Sequence, residues 1–383
     1  MPRPPRTTSI PERAPVPADL LEAAGLLLPG HRDVSAVAGS PNVIKVETIS
    51  GPARVTRWAP GTTQERIASI HTTFGTLQRA GVRFTPAPIS GPNGEQSISL
   101  PGGHRYEARG WLGGQLAGRE VPFPGLPLPV AISVDHVTEV ARSLGRLQGA
   151  GEGVIRLRIL PGAPLTSIHR SIVTMARETR LALLDVASSY PPSRNWMNSI
   201  DRVIGMTADT IGTLQDGDER RFVISHGDLW PEHLIFSRRG DGAPELAGLA
   251  GWNDVAASSS LLDLGQLVSR TRGWSNEFVE AVVSGFQETA SLTPSERRAV
   301  PGIIALDLLL ISTRLLRRYM LTDPEAEVAY GEKQQLVSAI EQTMQALNAL
   351  SPVVGIFDSP TPKRGKKWVY RQQGPSPRRQ RKE

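Results

Sequence analysis

An α+β chain in two unequal parts, a small antiparallel-sheet region and then a larger helical one, is predicted by three features. Between Val34 and Trp58, apolar and polar residues alternate in short runs broken by Gly, Pro and Asn, which is the two-residue period of strands. From Val130 onward, apolar residues recur at the three- and four-residue spacing of helices. Between these regions Pro and Gly crowd Gly113 to Pro129, a composition that makes a connection. A length of 383 residues exceeds what one compact core usually serves, so two lobes with tails are expected.

The elements follow in order. Residues 1–16 are Pro-rich and aperiodic and read as a disordered tail. Ala18 to Leu28 reads as a short amphipathic helix closed by Pro29-Gly30. Val34 to Trp58 divides at Gly39-Ser40-Pro41-Asn42 and Gly51-Pro52 into a three-strand meander. Thr62 to Ala80 is a helix with Thr63 as its cap and Ile67, Ile70, Phe74 and Leu77 on one face. Short strands follow at Arg83–Ile89, Gln96–Leu100 and Arg105–Trp111. Helices are expected at Val134–Leu147, Ser167–Ser189, Asn195–Leu214, Leu261–Thr271, Glu277–Thr289, Ser295–Met320 (kinked or restarted at Pro301) and Glu325–Leu350. The boundaries read 17–114 for the first lobe, 115–350 for the second, and 351–383 for a basic disordered tail.

Composition excludes several classes of function. The chain has no cysteine, which removes disulfides, thiol nucleophiles and thiolate metal sites and is compatible with a reducing cytoplasm, the location expected. The N-terminus carries charge and proline where a signal peptide needs an apolar core. Ile303 to Ile311 is the most apolar stretch, but Asp307 interrupts it, so a buried helix is expected and no membrane partner. The net charge of +6 belongs to the end of the chain: residues 361–383 hold nine Lys or Arg and one acid, which leaves the rest at −2. Such a tail, with Trp368 and Tyr370 among its cations, has the composition for nucleic acid or an acidic partner, although solvated tails of this kind commonly have no defined ligand.

Chemistry concentrates in Val223 to Phe236, VISHGDLWPEHLIF. Two apolar runs flank a sharp polar loop in which Pro231 forbids a helix interior, so the pattern reads strand, loop, strand. Leu246 to Asp254 reads as another strand running into a polar turn. A carboxylate on a loop after a strand, followed by a second polar turn, is the layout of phosphoryl transfer, where one Asp orients or deprotonates the attacking hydroxyl.

His226-Gly227-Asp228-Leu229, then Pro231 and an apolar triplet, resembles the catalytic loop of the aminoglycoside phosphotransferase and choline-kinase-like family. The resemblance implies a protein-kinase-like bilobal fold: a small antiparallel N-lobe sheet with one helix and a mainly helical C-lobe. It makes Asp228 the catalytic base and gives His226 a structural role. It also implies ATP and Mg2+, with a small-molecule acceptor that the sequence does not identify. On the same grounds Ser40 and Asn42 lie in the phosphate-covering turn, Arg57 is the third-strand cation and Trp111 belongs to the nucleotide hinge. An acid on the following helix normally pairs with that cation; Glu65 lies one turn early and His71 nearer the register.

The chain departs from the family at both metal positions. His233 stands where the family has Asn, and Gly251 where it has Asp. Magnesium prefers oxygen, so His233 is a poor substitute, and Gly251 offers no ligand at all. His233 and Asp254 are the remaining metal candidates, while Glu232 reads as a solvated turn residue. Two functions follow: an ATP-dependent phosphotransferase acting on a small-molecule hydroxyl, or a catalytically inactive pseudokinase that serves as a binding or scaffold module.

Overall fold

The computed structural model describes residues 15–37, 40–117, 131–156, 158–184, 191–214, 222–271, 275–321 and 338–346. The expectations for the N-terminal tail up to residue 14, for Gly39 and for the basic tail lie outside these residues. The architecture is protein-kinase-like, an N-terminal antiparallel sheet followed by a mainly helical body.

Strands β1 (Asp33–Ala36), β2 (Val43–Thr48) and β3 (Gly51–Arg57) form the expected meander. β3 pairs on its far side with β6 (Arg105–Gly110), and the two-residue strands β4 (Pro88–Ile89) and β5 (Ile98–Ser99) add to β6. Strand alternation gives the sheet two unlike faces. Ile44, Val46, Ala53, Val55, Tyr106 and Ala108 form a buried apolar face covered by Leu20, Ala23, Ala24 and Leu27 of α1 (Ala18–Leu27). Asp19 pins this helix by accepting from Tyr106 Oη at 2.7 Å and Arg57 Nη1 at 2.8 Å.

The other face is polar. Lys45, Arg54 and Arg109 are cross-strand partners in one row, and Thr56 pairs with Glu107. Helix α2 (Gln64–Arg79), capped by Thr63, which accepts from the Arg66 amide, meets this face through His71, whose Nε2 lies 2.5 Å from Glu107 Oε2. Glu107 also pairs with Arg109 at 2.5 Å, and the Arg109 guanidinium lies 4.8 Å from the Phe74 ring centre. The remaining face of α2 (Ile67, Ile70, Phe74, Leu77) enters the larger core shared with the helical body.

That body comprises α3 (Val134–Ala150), the short α4 (Glu152–Arg156), α5 (Leu165–Leu183), α6 (Pro191–Thr213), α7 (Ser260–Arg270), α8 (Asn276–Gln287) and α9 (Pro294–Leu321). α9 has the length and composition to cross a membrane, but it is the body's central helix, buried against α5, α6 and α7. It runs through Pro301 without the expected restart, held by this packing. Of the expected helix Glu325–Leu350, residues 338–346 are described and are helical.

Two small sheets frame the polar loop. β8 (Val223–Ser225) pairs with β11 (Ala256–Ser258), and β7 (Gln115–Leu116) joins β9 (Leu234–Arg238) and β10 (Pro244–Leu249). β7 and β11 were not expected, because strands of two or three residues are too short to show a period.

Glu107 is the fully buried anion that holds both His71 and Arg109. Glu107→Gln leaves Arg109 without a countercharge and is expected to cost about 3 kcal/mol. Urea denaturation of the variant against the wild type measures it.

Candidate active site

The loop after β8 is fastened from below by the first turns of α7. Asp263 accepts from the His226 amide at 2.8 Å, the Gly227 amide at 3.0 Å and Ser225 Oγ at 2.9 Å. Burial pushes its carboxyl up to about 6 even against these three donors. Gln266 accepts from the Leu229 amide at 2.9 Å and donates to the Gly227 carbonyl at 2.8 Å. Gly227 has a φ of 80°, and a Cβ there would lie 2.5 Å from the Asp254 carbonyl oxygen, so only glycine fits where the two turns meet. His226 donates from Nε2 to the Ala250 carbonyl at 2.6 Å, and burial holds its ring neutral, with a pKa of about 3.

This scaffold presents Asp228 at the junction of two cavities. One, of about 700 Å³, lies under the sheet and is lined by Ser40, Asn42, Arg54, Trp111 and Gly251 among others. The second, of about 520 Å³, lies between the loop and α5, α7 and α9, with Ser167, Ile172, Met175, Asp254 and Leu310 in its wall. Asp228 Oδ1 accepts from Arg270 Nη1 and Trp230 Nε1, both at 2.8 Å. Among the described residues Oδ2 accepts no hydrogen bond. Arg270 is 1% exposed, is gripped by both carboxylate oxygens of Asp307, and lies 4.3 Å over the Trp230 ring. Burial alone would raise the Asp228 carboxyl, but the charge and hydrogen bond of Arg270 hold it below the usual carboxylate range.

The metal ligands that the resemblance implies do not assemble. His233 Nδ1 lies 2.7 Å from the Asp228 carbonyl, which can only accept, so that nitrogen carries the proton. A Cβ on Gly251 would fall 2.3–2.5 Å from three atoms of the same ring, so the imidazole occupies the space any side chain at 251 would need. Gly251 also has a φ of 73°, in the left-handed region. Asp254 lines the second cavity and His233 the first, and Asp228 borders both. Burial and Asp228 push the Asp254 carboxyl up, against Arg66, Arg314 and Arg270. Among the described residues, no three His, Asp or Glu side chains converge as a metal site. His233 and Gly251 do not supply the oxygen ligands that Mg2+ takes at these two positions.

Ser40, Asn42, Arg57 and Trp111 all border the first cavity. The Arg57 charge, however, is committed elsewhere, to Asp19 and, through Nε at 2.9 Å, to Asn42. Arg54 is a further cation lining this cavity, and sequence reasoning missed it. Its Nε is buried without a hydrogen-bond partner, and burial together with Arg109 pushes the group down to about 10. Strand parity could have found it. Ala53 and Val55 mark the apolar face, so 54 and 56 lie on the other one; Arg57, at the strand end, also borders the cavity but is held by Asp19 and Asn42.

Two other expectations are corrected. The α2 acid is replaced by Glu107 on β6, which meets His71, while Arg66 of α2 donates to the carbonyls of Asn253 and Val255 and holds the second turn. Glu232, read as a solvated turn residue, lines the first cavity, where burial and Asp228 push it up to about 7.

Fold and site together define a kinase-like scaffold for small-molecule phosphoryl transfer. The chain belongs to the phosphotransferase enzyme family, whose model matches residues 33–301. Similar solved structures include an aminoglycoside phosphotransferase from Alicyclobacillus acidocaldarius (13% identity, 89% of this chain and 96% of that one, TM-score 0.60). A microcompartment-associated aminopropanol kinase aligns at 12% identity over 88% of this chain and 98% of its own, TM-score 0.58. A spectinomycin phosphotransferase in complex with ADP and spectinomycin aligns at 9% identity over 87% and 97%, TM-score 0.57. At these identities the likeness is one of fold. No curated protein matches the chain by sequence.

Two outcomes are expected. Gly251→Asp overlaps His233 and strains the backbone, costing about 2–3 kcal/mol; adding His233→Asn clears the space, and thermal melts should show most of the loss restored. Glu232 is protonated in both states below about pH 4.5, its ordinary value; between there and about 7 only the unfolded chain ionises it. Stability therefore falls as pH rises through that window and levels off above it. Melting temperatures of wild type and Glu232→Gln across pH 4 to 8 should show this component only in the wild type.

Proposed function

We propose that the protein transfers a phosphoryl group from a nucleoside triphosphate, ATP by family resemblance, to a hydroxyl of a small molecule. The observation that carries this reading is Asp228 at the meeting point of the two cavities, with Oδ2 accepting no hydrogen bond among the described residues. The sheet-side cavity takes the donor and the helix-side cavity the acceptor. The acceptor oxygen attacks the terminal phosphorus, the bond to the bridging oxygen of the nucleoside diphosphate breaks, and the hydroxyl proton passes to Asp228. Because Arg270 lowers the basicity of this carboxylate, its main work is to aim the hydroxyl through Oδ2. The acceptor cavity mixes Ile172, Met175 and Leu310 with Ser167 and the Asp254 carboxylate, which favours a compact hydroxyl compound with an apolar face.

A specific observation also favours a second reading, a nucleotide-binding pseudokinase: the metal positions are filled by one imidazole stacked on a glycine. Turnover separates the two readings. ADP release is measured with a panel of amino alcohols, amino sugars and aromatic alcohols. The first reading expects ADP formation with at least one acceptor and a fall of about 100-fold or more in Asp228→Asn. Absence of ADP formation with every acceptor, by a protein that binds nucleotide, leaves the second.

A further inference from the structure

The loss of the metal site is matched by an excess of positive charge in the same cleft. The row Lys45, Arg54 and Arg109 sets three cations side by side across the sheet, an arrangement that costs stability unless anions intervene. Lys45 is answered by Glu47 at 2.5 Å and Arg109 by Glu107. Arg54, between them, makes no hydrogen bond among the described residues and faces the cavity. Arg314 of α9 borders both cavities and adds a second guanidinium at the junction. Against these stand Asp228, already paired with Arg270, Asp254, which shares the second cavity with Arg314, and Glu232, which burial pushes up to about 7.

A cleft built this way repels a divalent cation and attracts a polyphosphate. We propose that it binds the polyphosphate of a nucleotide directly, through Arg54 and Arg314, with no divalent metal between protein and phosphate. The proposal rests on the nucleotide-cleft part of the functional reading and is independent of whether transfer occurs. His233 has a structural part in it: the ring fills the vacated ligand space and keeps the Asp228 backbone in place through Nδ1.

Isothermal titration of the full chain with ATP, ADP and inorganic tripolyphosphate, each in EDTA and in excess Mg2+, tests this. The expected result is binding of all three in EDTA, with affinity unchanged or weakened by Mg2+, which shields the phosphates. Arg54→Met should weaken tripolyphosphate by about 10-fold or more, as expected for removal of a charge-assisted contact. Adenosine alone should bind in wild type and Arg54→Met alike, which also shows that the variant is folded. In His233→Asn with Gly251→Asp, where oxygen ligands return, Mg2+ should strengthen ATP binding. Binding of ATP to the wild type only when Mg2+ is present overturns the proposal, and so does a failure of all three phosphates to bind in EDTA. Failure of the transfer reading looks different: nucleotide binds in EDTA, yet no acceptor releases ADP.

Discussion

The buried guanidinium of Arg270 is the interaction on which the candidate site depends. It sits at the end of α7, receives both oxygens of Asp307 from α9, stacks on Trp230 and donates to Asp228. A charge this deeply buried is tolerable only when its donors are matched by anions, and here the two anions come from different parts of the chain. The pairing joins the body's central helix to the polar loop, so loop geometry and core packing are one problem. It also explains why Asp307 interrupts the most apolar stretch of the sequence. That residue faces inward, and its charge is needed there.

The same pair sets the chemistry. A carboxylate beside a fixed cation stays ionised over a wide pH range but takes up a proton reluctantly. Asp228 therefore combines an Oδ1 that accepts from Arg270 and Trp230 with an Oδ2 that accepts no hydrogen bond among the described residues, and in the proposed transfer its value lies in direction more than in basicity. Trp230 and Arg270 fix that direction from two sides, and Asp263 and Gln266 fix the backbone beneath it.

How much of this was legible in the sequence depends on how local each signal is. The meander, the Thr63-capped helix, the loop and the structural role of His226 rest on neighbouring residues and could be read from them. Arg54 was overlooked in favour of Arg57 because a motif fixes an approximate position, whereas strand parity fixes a face. One residue of slip reverses the side on which a strand residue lies. The Arg270 pairs, the exchange of a helix acid for Glu107 and the use of Arg66 to hold the second turn join residues far apart in the chain, and no local pattern marks them. The fit of His233 over Gly251 is intermediate. Both departures were visible as separate losses, but their compensation is steric and appears only when ring and glycine are placed together.

That compensation changes what each loss means. Removing two oxygen ligands from an otherwise unchanged site would leave a hole and an unbalanced set of charges. Here the hole holds an imidazole that is hydrogen-bonded and neutral, burial and the nearby guanidinia outweighing the pull of Asp228, and Arg54 and Arg314 border the same cavity. Guanidinium groups match phosphate oxygens with several directed donors and bring none of the desolvation cost of stripping water from a small divalent ion. They cannot, however, bridge ligand and protein oxygens as a metal does, so they stay with their own strand and helix. On the proposed readings, affinity for polyphosphate and transfer of its terminal group rest on different residues in this cleft. The first would depend on Arg54 and Arg314, the second on the direction of one oxygen of Asp228, so that either could persist without the other.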